Sequence, residues 1–162
     1  MNKKVNYVVK AGVIAAIYVV LVMIFSFSSF GPIQFRVAEA MTILPFFTGA
    51  AVPGLFVGCL VANFLGGAII WDTIFGSLAT LAAAYLSYKL SKKEWLVPIP
   101  PILINTVVVG FVLKYAYGIP DGLLVLMGGV FMGEVVSVLG FGMILLNALK
   151  PVRKFISDKE RV

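Results

Sequence analysis

The chain has 162 residues, 61% apolar and 12% charged, with a mean hydropathy of +1.06. Soluble domains run at about 45–50% apolar and about 25% charged, so these proportions describe an integral membrane protein. The absence of His removes imidazole metal sites, Ser-His nucleophile pairs and His proton relays, and the single Cys59 removes any intramolecular disulfide.

The opening stretch, MNKKVNYVVKAGVIAAIYVVLVMIF, pairs a basic start with an apolar run longer than a usual signal core. No A-x-A-like site follows it, which makes residues 5–27 a retained first span. The block 37–70 is too long for one crossing and short for two. Pro53 and Gly54 near its middle predict a tight turn between two helices. Residues 73–90, 96–115 and 123–149 are each near the ~20 apolar residues that cross ~30 Å of hydrocarbon. With two crossings in the block 37–70, eleven of the thirteen cations fall on one side, leaving Arg36 and Lys114 on the other. With one crossing, the Lys89, Lys92, Lys93 loop and the basic tail would face outward, against the excess of Lys and Arg expected on the cytoplasmic side. The expectation is therefore an all-α integral membrane protein, a bundle of six transmembrane helices with both termini cytoplasmic. Residues 1–150 form its single domain, and residues 151–162 form a solvated cytoplasmic tail that begins where Pro151 stops the helix. Tyr88, Trp95 and Tyr115 fall near span ends, as interfacial anchors do.

Polar groups within such spans need a reason, because an ionisable side chain near the bilayer centre costs at least about 2.5–3.5 kcal/mol. Gln34, Arg36 and Glu39 lie on the predicted outer loop and the outer start of the second helix. Asn63 lies in the outer half of the third helix, Asp72 in the short outer link after it, and Asn105 midway along the fifth. Glu134, about twelve residues into the sixth helix, is ~18 Å from its outer end at 1.5 Å per residue. Bland readings exist: Arg36 and Glu39, three apart, pair on one helix face; Asn63 and Asn105 bond between helices; Asp72 is a solvated loop carboxylate. Glu134, set in GGVFMGEVVSVLG, is the hardest to explain structurally. Together the groups predict a pocket opening outward.

Small residues form two further stripes. Ala11 and Ala15 share a face of the first helix, with Gly12 and Ala16 beside them, and Gly54, Gly58 and Ala62 share a face of the third. Such stripes let helices approach closely, inside one bundle or against another subunit. The chain has no GxxxxGK[ST] phosphate loop and no catalytic motif, which leaves a binding subunit or a facilitator as the reading of the residues alone.

The block FGPIQFRVAEAMTILPFF, followed by PGLFVGCLVANFLGG, DTIFGSLATLAAA and PPILINTVVVG, resembles the QueT family of queuosine-precursor transporters over residues 11–149. That resemblance implies a substrate-binding S component of an energy-coupling factor (ECF) transporter. Such a six-helix protein of the bacterial plasma membrane captures its solute outside and docks on a transmembrane scaffold subunit with two ATPase subunits. It implies no enzyme activity, no cofactor in this chain, ATP used by the partner subunits, and no nucleic-acid partner. Family S components dock through an AxxxA face on the first helix, which Ala11 and Ala15 match. The implied ligand is a 7-deazaguanine, either 7-cyano- or 7-aminomethyl-7-deazaguanine, or queuine. For that ligand Glu134 accepts the adjacent ring N–H and amine donors. Gln34, Asn63 and Asn105 meet its other polar atoms, while Phe35 and Trp71 offer flat faces to the bicycle. Asp72 is expected to face the aminomethyl cation, and Arg36 to fix the outer loop through Glu39 or another carboxylate. The alternatives are an autonomous facilitator or ion-coupled carrier of a nucleobase- or vitamin-like solute, and a structural membrane protein.

Overall fold

The computed structural model describes residues 3–26 and 35–157, and among them every regular element is helical. Helix α1 spans Lys3–Ile24 and a 3-10 helix spans Val37–Phe46. Then come α2 (Ala51–Leu65), α3 (Ile70–Leu90), α4 (Ile99–Phe111) and α5 (Leu123–Glu134). Helix α4 continues as a π segment, Val112–Ala116; α5 continues as a π segment, Val135–Gly142, and then as α6, Met143–Leu149. Helix α7, Arg153–Ile156, closes the described chain. Three continuous helical stretches, Lys3–Ile24, Glu94–Ala116 and Leu123–Ile156, are long and apolar enough to cross a membrane; Val37–Phe46 and Ala51–Leu65 are shorter apolar helices.

The 3-10 helix is the axis of the molecule. All of Ala38 to Phe46 is buried, and it packs against α1, α2, α3, α6 and the π segment after α5. Pro45 lacks the N–H that an α-helical ladder would use, and the Thr42 hydroxyl bonds back to the Glu39 carbonyl at 2.6 Å. At a rise of ~2.0 Å per residue its ten residues reach ~20 Å, against ~15 Å for an α-helix of that length.

The turn after it differs from the expectation. The chain reverses between Phe46 and Ala51, where Thr48 Oγ1 accepts the Ala50 N–H at 3.2 Å and Val52 N–H bonds the Gly49 carbonyl at 3.1 Å. Pro53 and Gly54 lie instead inside the first turn of α2. No intrahelical acceptor waits for an N–H there, so Pro53 is accommodated without a lost bond. Helix α2 ends at Gly66, with Gly67 in the left-handed region at φ 74° and Ala68 N–H bonded to the Asn63 carbonyl at 3.0 Å.

Glycines set a close backbone contact between α1 and α2. A Cβ at Gly54 would stand 2.8 Å from the Ala11 carbonyl oxygen, and one at Gly58 2.9 Å from Tyr18 Cβ and 3.1 Å from the Ala15 carbonyl oxygen. The stripe on α2 therefore seats α1 directly, backbone on backbone.

Contacts identify one end of the bundle. Tyr7 Oη bonds the Gly49 carbonyl at 3.1 Å, Lys10 Nζ the Ile156 carbonyl at 2.9 Å, and Lys150 Nζ meets Glu94 Oε2 at 2.7 Å. The start of α1, the turn before α2, the α3–α4 loop and the C-terminal segment thus lie together. The tail is exposed from Pro151 to Phe155, and helical turns continue past Pro151, where the expectation had the helix stop. Pro151 falls in a 3-10 turn, and α7 packs back, with Arg153 over the Phe46 ring at 5.4 Å and Ile156 against the core.

Candidate functional site

Four elements each send one polar group into the interior: Tyr18 from α1, Glu39 from the 3-10 helix, Asn105 from α4, and Glu134 from the last turn of α5. All four are buried, at 0, 2, 3 and 8% exposure. The Tyr18 hydroxyl donates to Glu39 Oε1 at 2.5 Å. Asn105 Nδ2 donates to Glu39 Oε2 at 3.3 Å and to Glu134 Oε1 at 3.0 Å, so one amide bridges two carboxyl groups. Chemistry fixes that amide's orientation, since the reversed form would set its oxygen against both carboxyls. Arg36 Nη1 stands 4.0 Å from Glu39 Oε1 and faces the pair as a cation.

Acceptors are left over. Asn105 Oδ1, Glu134 Oε2 and Asn63 Oδ1 are buried and have no hydrogen-bond partner among the described residues. Arg36, Glu39, Gly76, Thr80, Asn105 and Glu134 line a common space of about 10 Å³, room for roughly one water. Buried polar atoms are almost always bonded, so such a set marks a place for an added donor. The helix also widens into its π form immediately after Glu134, a distortion found most often at functional sites.

Beside this cavity Asn63 Nδ2 lies 3.5 Å from the Asp72 carbonyl and 3.6 Å from Cys59 Sγ, which also takes the Thr80 hydroxyl at 3.4 Å. Asp72 is in the first turn of α3 and is 2% exposed, not in the loop where spacing put it. Its Oδ2 accepts the Tyr117 hydroxyl at 3.1 Å, and its Oδ1 would be 3.0 Å from a Cβ at Gly76, a tight approach between Asp72 and the cavity. Burial, followed by the Asp72 carboxylate, pushes the Tyr117 phenol above its usual 10.0.

Of the residues singled out from sequence, Arg36, Glu39, Asn105 and Glu134 meet directly, with Asn63 and Asp72 adjoining. Trp71 does not join them. It is 54% exposed, stacks on Phe75 at 6.0 Å and lines an apolar groove with Val107, Phe111 and Tyr115 on the outside of the bundle. The helical period decides this: Asp72 faces inward, and the residue one position before it is rotated ~100° away. Phe35 is half-buried with its ring 5.8 Å from that of Phe141, at the edge of the cluster. Gln34 lies outside the described residues. Ala11 and Ala15 turn toward Gly54 and Gly58 of α2, while Gly12 and Ala16, one position on, are exposed. The backbone of that stripe is seated on the α2 glycines.

Sequence reading missed Tyr18, Thr80 and Ser137. Tyr18 carried a signal, a phenol one turn beyond Ala15 in mid-span, far from the interfacial ends where Tyr usually sits. Ser137, 1% exposed with an Oγ that has no partner among the described residues, lies one turn past Glu134.

A family model described as QueT transporter matches residues 8–151. The chain belongs to the QueT transporter family. The queuosine precursor transporter QueT of Lactococcus lactis subsp. cremoris (strain MG1363) is 40% identical over 85 residues, 50% of this chain and 49% of the relative. The chain thus aligns with about half the length of that relative. No solved structure matches. The QueT family is one of transporters rather than enzymes, and its apolar helices place this member in a membrane.

Proposed function

We propose that this chain is the substrate-capture (S) subunit of an ECF-type importer, binding a queuosine precursor from outside and delivering it by docking on a scaffold and ATPase module. One observation carries the reading: Glu134 Oε2 and Asn105 Oδ1, buried acceptors on adjoining helices, have no partner among the described residues. The guanine-like edge of a 7-deazaguanine presents a ring N–H beside an exocyclic amine, and two charge-assisted or neutral bonds to such acceptors would fix it. Two carboxyl groups face one guanidinium, which favours an amine-bearing ligand such as 7-aminomethyl-7-deazaguanine over the neutral 7-cyano compound. Asp72 is a second carboxylate for that amine. The present space holds about one water, so admission of a bicycle requires the cavity to enlarge.

The architecture that supports this is six crossings with both termini cytoplasmic, in a bacterial plasma membrane. The basic loops gathered at one end of the bundle agree with that orientation. Docking on the scaffold uses the outer face of α1, where Gly12 and Ala16 are exposed beside Val9 and Val13. With no phosphate loop in its sequence, the chain takes ATP-derived work from its partners.

Calorimetric titration of the purified chain tests the proposal. The expected result is saturable, ATP-independent 1:1 binding of 7-aminomethyl-7-deazaguanine, with weaker binding of the 7-cyano compound. Absence of binding by both compounds and by queuine overturns it. Uptake into vesicles carrying this chain alone would replace capture with the reading of an autonomous facilitator.

A further inference from the structure

At the end of the bundle opposite the α4–α5 loop, Lys92 and Lys93 from the α3–α4 loop and Arg153 and Lys154 from α7 are all exposed. The ion pair between Lys150 and Glu94 at 2.7 Å ties these two segments together. Arg153 is further held over Phe46 at 5.4 Å and Lys93 over Trp95 at 5.9 Å, so the cations sit on a fixed frame.

The same surface carries two large aromatic groups in the open. Trp95 is 63% exposed and Phe155 84% exposed. Neither helps the bundle pack, and both lie close to the ends of apolar helices, Trp95 between Leu90 and Ile99 and Phe155 shortly after Leu149. That distance keeps them at the depth where hydrocarbon gives way to headgroups. Indole belongs at the headgroup level, a phenyl ring inserts into the acyl boundary, and cations beside them meet lipid phosphates. An acidic protein face would match the charges, but it would have to reach a surface lying at the bilayer itself.

We propose that Lys92, Lys93, Trp95, Arg153, Lys154 and Phe155 form a binding surface for anionic phospholipid headgroups. Its cations hold the phosphates while Trp95 and Phe155 enter the bilayer beside them. The site is independent of solute capture and would operate whatever the transported compound is.

The test uses the full chain with Trp71→Phe, which leaves Trp95 as the sole tryptophan. It is reconstituted in bilayers mixing phosphatidylcholine and phosphatidylglycerol, with bromine on the acyl chains of one lipid at a time. Brominated phosphatidylglycerol should quench Trp95 more than brominated phosphatidylcholine at equal mole fraction, corresponding to at least about a threefold preference that falls as salt is raised. Replacing Lys92, Lys93, Arg153 and Lys154 together by Gln should remove the preference. Equal quenching by the two lipids overturns the proposal. So does a preference that survives either high salt or the fourfold replacement. The salt series on the otherwise unaltered chain keeps the test decisive if the fourfold variant fails to fold.

Discussion

Replacing Glu134 by Gln changes one atom of the proposed site and almost nothing else. Glu134 Oε1 accepts from Asn105 Nδ2 at 3.0 Å, and Gln keeps that bond with its own Oε1. The amide nitrogen then takes the position of Oε2, which has no partner among the described residues. Thermal stability should therefore hardly change. Ligand binding should change strongly, because an acceptor aimed at a donor-rich edge becomes a donor. Hydrogen bonds to a charged group are worth about 1.5–3 kcal/mol net, and at 1.4 kcal/mol per decade their loss weakens affinity by roughly 10- to 150-fold. Calorimetry with 7-aminomethyl-7-deazaguanine gives the affinity, and thermal unfolding in detergent gives the control. An affinity within about threefold of the unsubstituted chain, with the fold intact, would refute the assignment of Glu134 to the ligand.

Tyr18→Phe keeps the ring but leaves Glu39 Oε1 without its 2.5 Å donor. An unsatisfied buried acceptor costs about 1–3 kcal/mol, so the unfolding midpoint should fall by several degrees, and an unchanged midpoint would deny the bond its role. Gly58→Val places a Cβ 2.9 Å from Tyr18 Cβ and 3.1 Å from the Ala15 carbonyl oxygen, which forces α1 and α2 apart, whereas a Cβ at Gly12 meets nothing within 4 Å. Thermal melts should show Gly58→Val strongly destabilised and Gly12→Val unaffected; equal behaviour would contradict the backbone contact. Gly12→Trp with Ala16→Trp should leave ligand affinity intact and abolish co-purification with the scaffold subunit, and a complex that still assembles would move docking off this face.

Hydropathy and charge placement made the membrane class and most helix positions readable, because long apolar runs and clustered cations are properties of composition over many residues. Local choices were harder. Pro53 and Gly54 look like a turn in a string of letters, yet a helix accepts proline in its first turn at no cost, and the actual reversal uses Thr48 and Gly49. Trp71 and Asp72 are neighbours in sequence and were assigned to one pocket, but a helix separates adjacent side chains by ~100°, and only Asp72 turns inward. The Ala11–Ala15 stripe was legible as a close-contact surface; its partner, the glycines of α2, was a matter of which helix packs first.

The two carboxyl groups show where sequence reasoning reaches its physical limit. Glu39 and Glu134 are both acidic residues in apolar surroundings, and nothing in their spacing separates their tasks. Their bonding does. Glu39 has Tyr18 on one oxygen, Asn105 on the other and Arg36 at 4.0 Å, so the protein already uses both of its oxygens. Glu134 has Asn105 on one oxygen and no described partner on the other. A carboxylate saturated by its own protein holds helices together, while one left half-bonded in a dry interior is stabilised only when a donor arrives. That difference supports the proposal that Glu39 anchors the helices and Glu134 recognises the solute. Substituting Glu39 by Gln should accordingly cost stability as well as affinity, whereas Glu134→Gln should cost affinity alone.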